Sequence, residues 1–294
     1  MSLLITTPIR SGEFLDYFRL DELVATGGMA SIFRATDMRT GRRVAVKIPH
    51  PEKAGARLVA ERFHNEAEIG RKFDHPGLVK VLPNDGASHP YVVMEWVEGK
   101  LLREIIDSPE KLAIERVLRI GLGLCDALEY IHGRGVVHRD LKPDNVMVDA
   151  EDNIKLIDFG IARETKLNFW KRAMSSEATG TPDYASPEQI KGKSGDARSD
   201  VYSLGVMLFE MLTGEVPFSG LDAYTAMNMR LLSDAPFASE FNPDISPRLD
   251  AIVHRALARD ASNRYAKACE LASDLSELLD EEAVAHPLES FASF

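Results

Sequence analysis

Along the first third of the chain, apolar and polar positions alternate in short runs separated by turn residues. Residues 17–23 and 31–37 read as strands flanking a glycine-containing turn, Thr26-Gly27-Gly28-Met29. Residues 43–48 follow a second turn at Thr40-Gly41, and Val44-Ala45-Val46 has the β-branched content of a strand. From residue 60 to 73 the period lengthens to that of a helix, which Asp74-His75-Pro76-Gly77 stops. Strands return at 79–82 and 91–96.

After Val97-Glu98-Gly99 the pattern is mostly helical. Residues 114–132 put Val117, Ile120, Leu124, Leu128 and Ile131 on one face, and the glycines at 133 and 135 end that helix. Short strands are expected at 136–137, 146–148 and 154–157. Residues 201–212 are apolar nearly all round, the pattern of a helix buried in a core and far shorter than a membrane span. Residues 249–259 and 266–280 read as closing helices, and the chain from 283 as a tail or linker. No internal repeat or low-complexity segment interrupts this order. The pattern predicts an α+β chain with a small five-stranded antiparallel lobe carrying one helix, a connector near 95–99, and a larger, mainly helical lobe. Ligands commonly bind where two such lobes meet.

Composition narrows the function. The 294 residues are 45% hydrophobic and 28% charged, ordinary for a globular protein. The 35 basic and 46 acidic residues leave a net charge of −11, which argues against a nucleic-acid partner needing a basic surface. A nucleotide substrate stays open, because a local cation can hold its phosphates. Cys125 and Cys269 stand alone, without metal-ligand spacing, and read as reduced thiols of a cytoplasmic protein. No apolar run approaches about 18 residues, and the opening MSLLITTPIRSGEF is too short and polar for a signal peptide.

The chemistry lies in two stretches. Val136-Val137-His138-Arg139-Asp140-Leu141-Lys142-Pro143-Asp144-Asn145 places a carboxylate, an ammonium and an amide within six residues. Asp158-Phe159-Gly160 follows, with Asp158 thirteen residues after Asn145. Phosphoryl transfer needs this inventory: a base for a hydroxyl proton, oxygen ligands for Mg²⁺ and a cation at the moving phosphate.

On these motifs the chain resembles the protein-kinase family, and in particular bacterial eukaryote-like (Hanks-type) Ser/Thr kinases, from about Phe14 to Leu279. The resemblance implies the bilobal kinase fold, with an N-terminal extension at 1–13, an N-lobe at 14–96, a C-lobe at 97–282 and a tail at 283–294. It implies Asp140 as catalytic base, Lys142 at the γ-phosphate, and Asn145 and Asp158 as ligands of Mg²⁺, or Mn²⁺ in its place. Val44-Ala45-Val46-Lys47 matches the third-strand motif, so Lys47 would hold the α- and β-phosphates of ATP. Its partner would be Glu66 on the following helix, with Glu68 as the alternative. Val24, Ala25, Thr26, Gly27 and Gly28 would form the nucleotide loop. Ile32, Ala45 and Met147 would sandwich the adenine, Met94 would be the gatekeeper, and Glu95 and Val97 would give backbone bonds to the base. Thr181, Glu188, Asp200 and Arg264 would be structural, with Glu188 paired to Arg264 and Asp200 holding the catalytic-loop backbone.

Two departures stand out. The family loop G-x-G-x-x-G-x-V reads here Ala25-Thr26-Gly27-Gly28-Met29-Ala30-Ser31-Ile32, with the first and third glycines replaced. Gly70 sits one turn after Glu66, where the family places an apolar side chain against Phe159 and His138. A glycine inside a helix costs about 1 kcal/mol relative to alanine, which suggests a mobile regulatory helix. Arg139 beside the base implies activation by a phosphate on the segment carrying Ser175, Ser176 and Thr179. The implied activity is transfer of the γ-phosphate of Mg-ATP to Ser/Thr of proteins, its own activation segment included. Two copies would pair during autophosphorylation, and the native protein would carry fused domains. The competing readings are a nucleotide-binding pseudokinase scaffold, which the altered glycine loop favours, and a kinase-like enzyme acting on a small molecule. Lys47, Asp140, Asn145 and Asp158 are intact and stand against the scaffold.

Overall fold

The alternating runs of the first third close into one antiparallel sheet. The computed structural model describes residues 10–27, 30–50, 56–84, 86–158 and 182–285 of the chain, in two compact units that divide between Glu98 and Gly99. The first unit holds β1 (Phe14–Leu15), β2 (Phe18–Thr26), β3 (Ala30–Asp37), β4 (Arg43–Pro49), α1 (Ala56–Gly70), β5 (Val81–Leu82) and β6 (Val92–Glu95). The sheet order is β1-β2-β3-β4-β6-β5. The five expected strands are present. The two-residue β1 is an addition, too short to show alternation in the sequence.

Register sorts the side chains of this sheet onto two faces, because successive residues of a strand point to opposite sides. Phe33 pairs with Val46, Ala35 with Val44, and Val46 with Val93. With Leu15, Phe18, Leu20, Ile48 and Tyr91 these residues form the buried cluster of the unit. Burying each large apolar side chain contributes about 1.5–3 kcal/mol relative to exposure. Ile32 pairs with Lys47, Lys47 with Val92, and Ala45 with Met94, so Ile32, Ala45, Lys47 and Met94 share the other face. The helix α1 begins four residues before the expected start and ends three before the expected end. Lys72 N and Phe73 N bond back only three residues, to Ile69 O and Gly70 O, which tightens the chain out of the helix. Gly70 is therefore the last helical residue, where the cost of an interior glycine does not apply.

The second unit holds β7 (Lys100–Leu101), α2 (Leu102–Ile106), α3 (Ile114–His132), β8 (Val146–Val148), β9 (Ile154–Leu156), α4 (Pro187–Ile190), α5 (Ala197–Thr213), α6 (Ala223–Leu232), α7 (Pro247–Ala256) and α8 (Ala268–Ala285). α3 has the expected bounds, and its apolar stripe is fully buried. Every residue of α5 from Ser199 to Leu212 is buried, which explains a pattern apolar on all sides. Asp196 caps its start by accepting from Arg198 N at 2.9 Å, and Gly214 ends it at φ 81°, a left-handed cap suited to glycine. Residues 136–137 are not a strand. The sheet here is β7-β8-β9, and β-branched residues without a neighbouring ladder stay irregular. α8 continues to Ala285, past the point where a tail was expected. The elements β7, α2 and α4 were not expected, being too short to carry a visible period. α6 was also unexpected, and it buries only Ala226, Met227 and Arg230.

Candidate active site

In the first unit the site is built on β4 and α1. The Lys47 ammonium lies 2.7 Å from Glu66 Oε1, with both side chains largely buried. The Phe63 ring, one turn before Glu66, sits 5.6 Å from Lys47 Nζ, adding a cation–π contact. Glu68 is turned to the surface, 3.6 Å from His64, so the geometry separates the two glutamates that the sequence offered. A cation held at this point is suited to an anionic ligand. Ile32, Ala45 and Met94 lie on the Lys47 face of the sheet. The Glu95 amide donates to Lys80 O at 2.9 Å, so a backbone bond from Glu95 to a base would come from its carbonyl. Val97 follows β6 outside regular secondary structure and is half-buried. Val24, Ala25, Thr26 and Gly27 line the exposed end of β2, and Gly27 N donates to Ala30 O at 2.8 Å across the turn. Gly27 lacks a positive φ, and a Cβ there would sit 3.6 Å from Ala30 O, so local sterics do not demand glycine. What glycine offers is close backbone approach to a ligand.

In the second unit the loop after α3 gathers the polar groups. Lys142 Nζ lies 3.1 Å from Asp140 Oδ2, and Asn145 Nδ2 reaches Asp140 O at 2.8 Å and Oδ2 at 3.4 Å. The Asp140 side chain keeps 35% exposure, enough to meet a substrate hydroxyl. The loop is held from below by Asp200, which is fully buried. Asp200 accepts from His138 N and Arg139 N, each at 2.8 Å, and lies 2.7 Å from His132 Nε2. Three bonds to one carboxylate offset the cost of burying it. Arg139 adopts φ 66°, a strained conformation for a residue with a Cβ, and its neighbours hold it there. Its Nε donates to Ser194 O at 3.0 Å, and Gln189 Nε2 donates to its carbonyl at 2.9 Å.

β8 and β9 bring the second carboxylate in. Val146 pairs with Leu156 and Ile157 N donates to Asn145 O, so Asp158 follows directly beside Asn145. Asn145 spends its amide nitrogen on Asp140, which points Oδ1 the other way. An amide oxygen and a carboxylate are the hard donors that Mg²⁺ takes alongside phosphate oxygens and water, so these residues fit such an ion. Met147, between them in β8, is half-buried.

The structure brings Glu188 and Arg264 together. Arg264, with no side-chain exposure, forms a bidentate pair with Glu188, both N–O distances being 2.9 Å. Ser199 Oγ donates to Glu188 Oε1 at 2.6 Å, and Arg264 also bonds Ala258 O and Arg198 O. Burial pushes the Glu188 carboxyl up, but the bonds from Arg264 and Ser199 and the Arg264 charge outweigh it and hold the pKa at about 2.

Sequence reasoning missed a second network. The buried Glu210 of α5 accepts from Arg103 Nη1 at 2.8 Å and from the Tyr184 hydroxyl at 2.5 Å, and Arg103 also bonds Tyr184. Burial and the Glu210 charge push the Tyr184 phenol well above its ordinary range. Arg230 of α6 pairs with Asp183 at 2.9 Å. The only signals were a glutamate inside an otherwise apolar helix and an arginine on a weakly amphipathic one. Gly28, Phe159, Ser175, Ser176, Thr179 and Thr181 lie outside the described residues.

This architecture, with a lysine–glutamate pair on a small sheet and an Asp–Lys–Asn loop on a helical unit, defines a protein kinase catalytic domain. The chain belongs to that family: the protein kinase domain matches residues 18–276. It is 41% identical over 273 residues to a probable serine/threonine-protein kinase of Streptomyces coelicolor, covering 91% of this chain and 40% of that protein. It is 37% identical over 276 residues to the serine/threonine-protein kinase PknB of Mycobacterium tuberculosis, covering 92% of this chain and 44% of that one. The chain thus spans less than half the length of these curated relatives. Among solved structures it resembles the PknI kinase domain of M. tuberculosis, with a TM-score of 0.71 and 26% identity over 92% of this chain and 99% of the other.

Proposed function

We propose that the chain is a Ser/Thr protein kinase that transfers the γ-phosphate of Mg-ATP to protein hydroxyls, those of its own activation segment included. The observation that carries this reading is the Asp140 carboxylate held between Lys142 and Asn145 on a loop fixed by buried Asp200. Asp140 accepts the proton of the attacking hydroxyl, and Lys142 stands beside it to balance charge on the phosphoryl group in transfer. Lys47, oriented by Glu66, takes the α- and β-phosphates, while Asn145 and Asp158 hold the metal. Mg²⁺ held there would supply positive charge against the charge that develops on the phosphoryl group. Asp200 keeps the loop in place, and Glu188 and Arg264 form a separate structural ion pair. The lysine two residues after the base supports Ser/Thr over Tyr, as do the relatives' names. Arg139 Nε donates to the Ser194 carbonyl, and its remaining guanidinium donors suit a phosphate on Ser175, Ser176 or Thr179. Among the described residues no helix is long and apolar enough to cross a membrane. Use of ATP and two free thiols support action in the cytoplasm.

The test is phosphate transfer from labelled ATP to a generic basic protein and to the chain itself. Asp140→Asn should lower kcat by about 10²–10⁴-fold while Mg-ATP still binds. Full transfer by Asp140→Asn would remove the base assignment. Nucleotide binding with no transfer by the native chain would favour the pseudokinase scaffold.

A further inference from the structure

Ala25 near the end of β2 and Ala30 at the start of β3 flank the turn where glycines would leave the backbone more freedom. Three polar side chains meet behind it. Ser31 Oγ lies 2.8 Å from His50 Nε2, and Thr26 Oγ1 lies 3.4 Å from Ser31 Oγ. The first is a good hydrogen bond, available to either imidazole tautomer, and the second is long and weak. Register explains the meeting. Ser31 is paired with Thr26 on β2 and with Ile48 on β4, and His50 follows Ile48 by two residues. These side chains therefore lie on the face of Ile48 and Val46, away from Lys47 and Ile32. Ser31 is only partly buried, so this bond is not needed to satisfy a core group.

We infer that Ser31 and His50 are a positioning pair: they tie the start of β3, which flanks the nucleotide turn, to the end of β4, which raises affinity for the ATP phosphates. This rests on the kinase reading above. The pair acts from behind, so it leaves the face of Lys47 open to phosphate. A turn ordered before binding does not have to be ordered by the ligand, and that saving appears as affinity. Neither side chain touches the reacting atoms, so the effect falls on nucleotide affinity and leaves the chemical step alone.

Calorimetric titration of the whole chain with Mg-ATP, alongside steady-state kinetics, tests the pair. Ser31→Ala and His50→Ala should each raise the Kd and the KM for ATP about three- to tenfold, the worth of one net hydrogen bond. The kcat and the KM for protein substrate should move less than about twofold, since no group that meets them has changed. The double variant should be no worse than either single one, and His50→Gln, which keeps a hydrogen-bonding group in reach, should recover most of the affinity. Ser31→Cys conserves the volume and gives the same reading if the alanine variant unfolds. An unchanged Kd in the Ser31 variants, or full additivity in the double variant, overturns the pair while the kinase reading stands. A native chain that binds no Mg-ATP overturns both.

Discussion

Glu188 and Arg264 show how much one buried pair can decide. Arg264 has no side-chain exposure, and five acceptors satisfy it: the two Glu188 oxygens and the carbonyls of Ala258, Arg198 and Arg259. Removing the carboxylate leaves a buried guanidinium without its counter-charge, so Glu188→Ala should cost about 3–5 kcal/mol in a urea titration. The pH dependence has a definite sign. The Glu188 pKa falls from an ordinary 4.5 to about 2 on folding. The stabilisation is therefore complete above 4.5 and is lost as pH falls through the window from 4.5 to 2. The stability gap between the native chain and Glu188→Gln should be constant near neutrality and should close over that window. A gap that stays open at pH 2 would place the pair's strength elsewhere. Residue identities of this kind were legible in the sequence through the family motif. The motif favoured Glu66 with Glu68 as the alternative, and the fold points Glu66 at Lys47 and Glu68 at His64. Tyr184, Glu210 and Arg103 were not legible, because the three come from segments far apart in sequence and only packing brings them together.

At the scale of elements, α5 is the post on which the second unit is built. It supplies Asp200 to the catalytic loop, Ser199 to Glu188 and Glu210 to Tyr184. Its all-round apolar pattern predicted burial. What the pattern did not show is how closely α7 approaches it. A Cβ on Gly205 would lie 2.9 Å from Ala256 Cβ and 3.3 Å from the Ala256 backbone carbon, so the two helices touch where glycine removes a side chain. Gly205→Ala should push them apart and cost about 1–3 kcal/mol, read as a lower urea midpoint with an unchanged slope. Gly70 teaches the converse. Its place in the sequence suggested a weakened helix interior, but Gly70 is the last residue of α1, where the cost of an interior glycine does not apply. The strand expected at 136–137 failed for a similar reason: propensity is local, and a strand needs a neighbour.

For the molecule as a whole, the proposed kinase activity makes the metal part of the substrate complex. Among the described residues no three His, Cys, Asp or Glu side chains gather as a metal-binding group. Asn145 and Asp158 alone are too few ligands to hold Mg²⁺ without phosphate oxygens. EDTA should therefore abolish phosphate transfer yet leave the melting temperature of the nucleotide-free chain unchanged. A drop in that temperature would reveal a resident structural ion. The sequence by itself determined the order of strands and helices, the burial of α3 and α5, and the residue types of the phosphoryl-transfer chemistry, because hydrophobic period and motif spacing are local properties. Tertiary structure decided which side chains meet: Glu66 with Lys47, Asp200 with the catalytic loop, Glu210 with Tyr184, and Ser31 with His50. Those meetings depend on strand register and helix packing, which join residues that a linear pattern leaves apart.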